Sequence, residues 1–379
     1  MASRGERDTA WLTLLRAPGI GPAELRERIA GAGDPVATLA AARGDAALPA
    51  ATRAWLEAPD SDVIAADLAW LAADSHHLVG CRDPEFPALL AEAPSPPAAL
   101  FVAGSVDALW QPQLAIVGSR SASASGLATA RKFARALAQA GLTITSGLAD
   151  GIDGAAHAAA LDAGGTTVAV LGTGPDQVYP SRNAALAERI VRHGALVSEF
   201  PPGTPPRPDH FPRRNRIIAG LALGTLVVEA SLRSGSLITA RLAAEAGRDV
   251  YAIPGSINNP LARGCHRLIR DGAHLVETTD EVLAELAPLA ARLGAELRSR
   301  LDAAGSGDEP EPSAGLGTRV RDPDYRKLLA ALGADPAGID TLAERTGLPV
   351  PALSSMLLVL ELDGAIDAAP GGTWVRRHS

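Results

Sequence analysis

The sequence is poor in several features that whole classes of function require. Only two cysteines, Cys81 and Cys265, occur in 379 residues, far apart and outside any CxxC pair. That argues against a disulfide framework or a zinc site and fits a reducing compartment. Aromatic residues make up 3% of the chain, too few for an aromatic-lined sugar cleft or a β-sandwich core. Lysine is nearly missing: Lys132 and Lys327 are the only two among 35 basic residues. Almost every positive charge is therefore a guanidinium, although a GC-rich genome alone produces this bias. No uncharged apolar run reaches spanning length, and the N-terminus lacks an apolar stretch followed by a small-residue cleavage site. The expected location is cytoplasmic, with no membrane partner.

The formal charge of −8 hides a division. Residues 114–280 carry 17 Arg/Lys against 13 Asp/Glu, a balance of +4, which leaves −12 for the flanks. A basic centre between acidic flanks attracts anions locally rather than globally.

Patterning divides the chain into four parts. Residues 1–75 read as a small helical domain, with two short helices around the Pro18–Pro22 turn and further helical stretches behind them. Residues 76–300 begin with a Pro-rich lead-in and continue as an α/β core. Short apolar runs (LAIVGS, LTITSG, TTVAVLG, ALVSEF, TLVVEA, DVYAIPG, HLVE) alternate there with helical patterns. Such alternation predicts a Rossmann-like, doubly wound, mostly parallel sheet covered on both faces. Residues 301–324 read as a flexible Gly/Pro/acid linker. Residues 325–379 read as a winged helix, three helices and a hairpin at Pro370-Gly371-Gly372.

In an open parallel sheet, ligands gather at the carboxyl ends of the strands, beside helix N-termini. Small polar turns follow several strands here: Gly118-Ser119-Arg120, Ser146-Gly147, Gly172-Thr173-Gly174 and, before another helix, Ser234-Gly235-Ser236. Any doubly wound fold needs some such turns merely to reverse direction. Their recurrence on one edge, two of them beside an arginine, points to an anion site. A mononucleotide, a dinucleotide and a polynucleotide all remain open. The GxGxxG fingerprint fails, because Gln177 stands where its third glycine belongs, and no lysine follows a glycine as a Walker A loop requires. What remains is arginine spread over several turns: Arg120, Arg182, Arg213, Arg214, Arg216 and Arg233. Guanidinium groups fork onto phosphates, and this spread suits an extended chain of them. The alternative is that Arg213-Arg214-Asn215-Arg216 forms a solvated or salt-bridged helix face.

Other constellations carry less. Asp150, Asp153 and His157 resemble a partial metal set without a third-element ligand; Asp150 reads instead as a helix N-cap and Asp153 as a first-turn carboxylate. No GxSxG elbow exists, so neither a catalytic residue, a metal nor a cofactor is expected. The last helix, 351–364, lacks any Lys or Arg, which favours protein contact over duplex-DNA reading; Arg376 and Arg377 leave duplex contact open. So few aromatics argue against extensive base stacking.

The motifs AIVGSR (115–120), TSGLADGIDGAAH (145–157), VAVLGTGPDQVYPSRN (168–183), SEFPPG (198–203), FPRRNRIIAGL (211–221), VVEASLRSGSLITA (227–240), GRDVYAIPG (247–255) and GCHRLIRDGA (264–273) stand in this order. Together they resemble the DprA (Smf) family. That resemblance implies a non-enzymatic homodimer that binds and shields single-stranded DNA and loads the RecA recombinase during natural transformation or recombination. Its N-terminal part would be sterile-alpha-motif-like. The resemblance assigns Gly118, Ser119 and Arg120 to the first phosphate turn. It assigns Arg182 and Asn183 to a basic position after Tyr-Pro, and Arg213, Asn215 and Arg216 to the arginine motif. Arg233 to Ser236 become a further loop, and the helix bearing His266, Leu268 and Ile269 becomes the subunit contact. Two rivals stand beside this: a phosphoribohydrolase-like enzyme on a related core, which has only Glu229 near its glutamate signature, and a pure interaction adaptor.

Overall fold

The computed structural model describes residues 3–289, 323–332 and 337–348, four positions between 353 and 360, and the strands at 366–369 and 373–376. Residues 301–322 of the expected linker lie outside the described residues. The chain divides into two compact units, Met1–Ala295 and Glu296–Ser379.

Nine strands build the sheet of the first unit: β1 (His76–Gly80), β2 (Ala99–Gly104), β3 (Gln113–Val117), β4 (Thr143–Ser146), β5 (Thr167–Val170), β6 (Gly194–Ser198), β7 (Gly224–Val227), β8 (Asp249–Ala252) and β9 (His274–Leu275). Their order is β1-β2-β6-β5-β4-β3-β7-β8-β9. Strands β3 to β9 pair in parallel, and β3 to β7 are buried along their whole length, as strands covered on both faces are. One face packs Leu114, Ile116, Phe133, Leu137 and Ile152 beneath the helices Ala124–Gln139 and Ile152–Asp162. The other packs Val117, Val170, Ile217, Ile218 and Ala240 beneath His210–Leu221 and Ser236–Glu245.

The Pro-rich lead-in holds a structural surprise. It contains β1 and β2, which add antiparallel strands to the β6 edge. Its prolines, Pro84 to Pro97, fall in the connection between the two strands, where their missing N–H costs no ladder bond. All six residues of β2 are buried, so the lead-in is part of the sheet.

Strand order reverses between β3 and β7, whose parallel neighbours run in opposite directions through the chain. A crevice must open at the carboxyl ends of those two strands, because their crossover helices leave on opposite faces.

The N-terminal region folds as five helices, of which Arg4–Leu15 and Pro22–Ala32 flank the expected turn. Ser3 and Glu6 form a capping box on the first, and Pro22 opens the second. Trp11, Leu14, Leu25, Ile29 and Leu56 make a core that continues into Ala98 and Ala99 at the start of β2. One arginine ties this region down. Arg16 forks onto the fully buried Asp67 at 2.5 and 2.6 Å and donates to the Pro202 carbonyl at 2.7 Å.

The second unit carries the three-stranded sheet β10 (Ala337–Gly338), β12 (Thr373–Arg376), β11 (Ile366–Ala369) and the helices Pro323–Ala331 and Ile339–Thr346. That is a winged-helix arrangement, with β11 and β12 as the expected antiparallel pair. Leu353, Met356, Leu357 and Leu360 are buried in the unit's own core with Leu328, Leu342 and Ile366. The apolar character of that last helix is thus spent on packing at these positions.

Removing Arg16 strands a buried carboxylate, whereas Arg7 and Asp83 form a half-exposed pair at 3.0 Å. Arg16→Ala should therefore destabilise the first unit by about 3 kcal/mol, and Arg7→Ala by less than about 1 kcal/mol. Urea unfolding of the two variants checks this; equal midpoints would contradict it.

Candidate functional site

The switch-point crevice has a volume of about 610 Å³ and is walled by the turns after β3 and β7 and by the start of His210–Leu221. Gly118, Ser119, Arg120, Arg214, Asn215, Ser234, Gly235 and Ser236 all line it, drawn from segments more than a hundred residues apart in sequence. The β3 turn is rigid. The Ser119 amide donates to the Glu229 carbonyl at 2.7 Å, its carbonyl receives the Ile152 amide at 3.2 Å, and its hydroxyl accepts from the Ser121 amide at 3.2 Å. Opposite, the Ser234 and Ser236 hydroxyls lie 2.7 Å apart, and Asn215 Nδ2 donates to the Gly235 carbonyl at 3.4 Å.

Helix His210–Leu221 divides the arginine cluster between its faces, since residues three apart share one side. Arg214 turns inward and is only 4% exposed. Its Nη1 donates to the carbonyls of Gly147, at 2.8 Å, and Val170, joining the ends of β4 and β5. Burial lowers its pKa to about 10, against the opposing pull of the Asp153 carboxylate. Gly147 makes room for it: a Cβ there would sit 2.5 Å from the guanidinium. Arg213 and Arg216 face away from the crevice. Both reach Glu199 Oε2, Arg213 at 3.0 Å, and Arg216 also donates to the Ser95 carbonyl at 2.6 Å. Arg213 and Arg207 line a separate cleft of about 1000 Å³ against the N-terminal helices. Of the arginine motif, only Arg214 and Asn215 therefore meet the crevice, and Arg214 commits Nη1 to backbone and Nε to the Asn215 side chain at 3.3 Å.

Arg120 is the exposed cation that lines the crevice, and Arg233 stands one residue before the lining Ser234. Arg120 lies over the Phe211 ring at 5.4 Å, and no carboxylate among the described residues pairs with it or with the exposed Arg233. Arg182 is exposed and pairs with Asp150 at 2.9 Å. Asp150 accordingly is not the N-cap; Gly151 is. Asn183 Nδ2 donates to the carbonyl of Leu148, whose φ of 54° is unusual for a leucine, so this asparagine supports a strained turn. Ser146 is buried and donates to the Ile116 carbonyl at 2.6 Å. Gly174 donates to the Thr204 carbonyl at 2.9 Å. A Cβ on Gly172 would lie 2.9 Å from Phe211, so this glycine seats the ring.

Aromatic participation was not legible in composition. Phe211 and the half-exposed Tyr179 both line the crevice, with ring centroids 5.5 Å apart. The scarcity of aromatics across the chain says nothing about where the few are placed.

Glu229 occupies the position that decides between ligands. Its carboxylate accepts from the Ser123 amide at 2.9 Å and the Ser123 hydroxyl at 2.6 Å, and lies 2.4 Å from where a Gly126 Cβ would be. It therefore sits on the N-terminus of Ala124–Gln139, where a Rossmann pyrophosphate would bind. A carboxylate so engaged is a structural anion rather than a free acid or base. Burial pushes the Cys265 thiol up to about 11 and raises that of Cys81, which disfavours the thiolate at both.

Asp153 and His157 do not converge. Asp153 accepts from the amides of Gly147 and Ala149 at 3.1 and 3.4 Å, and burial raises its pKa against the opposing Arg214 charge. His157 Nδ1 lies 2.6 Å from Thr167 Oγ1, which itself donates to the Ile144 carbonyl; Nδ1 is therefore the protonated nitrogen. Burial, helped by Arg214, lowers its pKa to about 3.

His266, Leu268 and Ile269, the residues expected at a subunit contact, lie on the helix Arg263–Arg270. Leu268 and Ile269 are half-buried against the core, and the His266 Nε2 atom is 2.9 Å from the Gly255 carbonyl. The strongly exposed apolar side chains nearby in sequence are Ile257 and Leu275, the latter on the edge strand β9.

Comparison with known proteins is consistent across methods. The model of the family described as DNA recombination-mediator protein A matches residues 77–287, and that of the DprA winged helix domain matches 308–372. Protein Smf of Escherichia coli K12 is 46% identical over 317 residues, covering 82% of this chain and 80% of that protein. DNA processing protein DprA of Streptococcus pneumoniae R6 is 50% identical over 200 residues, covering 53% and 71%. The crystal structure of S. pneumoniae DprA superposes with a TM-score of 0.66 at 39% identity, covering 73% of this chain and 97% of that one. A structure of Helicobacter pylori DprA, described for its single-stranded DNA binding mode, superposes with a TM-score of 0.50 at 27% identity, covering 54% and 93%.

His157 makes the fold sensitive to acid. Its folded pKa lies below the unfolded value of 6.5, so the unfolded chain binds the extra proton. The stability this neutral imidazole brings is complete above about 6.5 and lost as pH falls towards about 3. Denaturation midpoints between those limits should fall more steeply for the native chain than for His157→Gln; parallel curves would contradict the assignment.

Proposed function

The chain belongs to the DprA (Smf) family of DNA-processing proteins, and from that premise we propose that its switch-point crevice binds single-stranded DNA through phosphates and stacked bases. The observation that carries this reading is the unneutralised Arg120 guanidinium in the crevice, over the Phe211 ring that neighbours Tyr179, with the exposed Arg233 one residue from the lining Ser234. Phosphates take the arginines and the hydroxyls of Ser234 and Ser236, while a base stacks on Tyr179. None of these contacts reads a base edge, so binding is indifferent to sequence. Arg182 joins them if a phosphate displaces Asp150. Arg214, Arg216, Ser146, Gly147, Gly172, Gly174 and Asn183 support the walls rather than touch DNA.

The protein acts without catalysis. Glu229 fills the phosphate position that a nucleotide-cleaving enzyme on this core would need open. Binding shields the strand and presents it for loading of RecA recombinase, in natural transformation or recombination. A second copy of the chain completes the working form, through the helix bearing His266, Leu268 and Ile269 and the exposed Ile257 and Leu275.

Fluorescence anisotropy with a labelled oligonucleotide over a salt titration tests the crevice. Arg120→Ala and Arg233→Ala should each make the log–log slope shallower by about 0.7. Tyr179→Ala should cost about 1–3 kcal/mol of affinity with the slope unchanged. Arg216→Ala should lower stability without a selective change of slope. Native-like titrations for both Arg120→Ala and Arg233→Ala would sink the reading. Release of free base from nucleoside monophosphates would favour the enzyme instead.

A further inference from the structure

The helix Ala124–Gln139 supplies no residue to the crevice wall, yet its outer face is charged in one sense only. Its buried side presents Ala130, Phe133, Ala134, Leu137 and Ala138 to the sheet. Arg131, Lys132 and Arg135 stand on the opposite side, all exposed. The helix contains no acidic residue, and none of the three cations pairs with a carboxylate among the described residues. Arg131 and Arg135 are four apart, so their like charges repel along one stripe. A face kept purely for solubility is ordinarily mixed in sign, as on the helix Ser236–Glu245, where Arg241 pairs with Glu245 at 3.4 Å.

Position gives the stripe its ligand. The helix starts one residue after Ser123, in the segment that leaves the Gly118–Ser121 turn of the crevice. At 1.5 Å per residue, Arg131 lies about 12 Å along the helix from Ser123, and Arg135 about 6 Å further. Cations are thus spaced along a ridge that begins at the crevice rim, and their charge is complementary to a polyanion.

We infer that Arg131, Lys132 and Arg135 form a second phosphate-binding surface, over which the same single strand continues after leaving the crevice. The inference rests on the crevice reading and extends it. Three phosphates are held here as point charges, without base contact. The surface lengthens the footprint of each subunit and adds salt-dependent affinity only for strands long enough to reach it.

The test compares thymidine oligonucleotides of about 6 and about 30 nucleotides, the first within the span of one small binding site. Full-length native chain and the triple variant R131A/K132A/R135A are titrated with both over a range of salt. The residues are exposed, and circular dichroism establishes that the variant folds. For the long oligonucleotide the variant's log–log slope should be shallower by about 2, and its low-salt affinity weaker by at least tenfold. For the short one the two proteins should match. R131K/R135K should restore long-strand binding, because a point charge suffices. If the native chain binds both and the triple variant is unaltered for the long strand, or loses both lengths equally, the helix face is overturned while the crevice stands. If the native chain binds neither length, the crevice reading itself falls.

Discussion

The buried guanidinium of Arg214 is the constraint on which the site depends. It joins the carbonyls of Gly147 and Val170, at the ends of two neighbouring strands, to the helix that carries Phe211 and Asn215. A lysine could not make this planar, forked bridge in the same space. Because Arg214 points inward, Phe211 and Asn215 on the same helix reach the crevice wall, and Arg213 and Arg216 are turned towards Glu199. The free charge in the crevice then has to come from elsewhere, and it comes from Arg120, with the exposed Arg233 one residue from the lining Ser234. A cluster that reads in sequence as four adjacent ligands is, in space, one strut, one wall residue and one ion-pair knot.

Glu229 is the second organising feature. A doubly wound sheet offers a helix N-terminus to an anion almost unavoidably. Here the protein supplies that anion from the turn after β7, bonded to Ser123 on the turn after β3. The same contact ties the two sides of the switch point together and denies the site to a nucleotide phosphate. On the proposed reading, recognition is thereby moved outward, to the rim, where an extended ligand fits better than a small one.

Much of this was readable in the residues. Most of the parallel strands were visible because both-face burial of β3 to β7 leaves largely apolar runs, and the turns after them because glycine and serine mark the reversals. β1 and β2 were hidden by prolines that prove to lie between them. The division of Arg213, Arg214 and Arg216 was hidden because charge alone does not say which helix face is buried; the 3.6-residue period with Ile217 and Ile218 as core was the available signal. The roles of Tyr179 and Phe211 depend on a juxtaposition of residues 32 positions apart, which only the tertiary fold supplies.

One measurement addresses the crevice directly. A single-stranded oligonucleotide carrying a photoreactive base, irradiated with the full-length protein and mapped by mass spectrometry, should leave its adduct on Tyr179 or Phe211. Adducts confined to the cleft beside Trp70 and Phe200, or to the winged-helix unit, would contradict it.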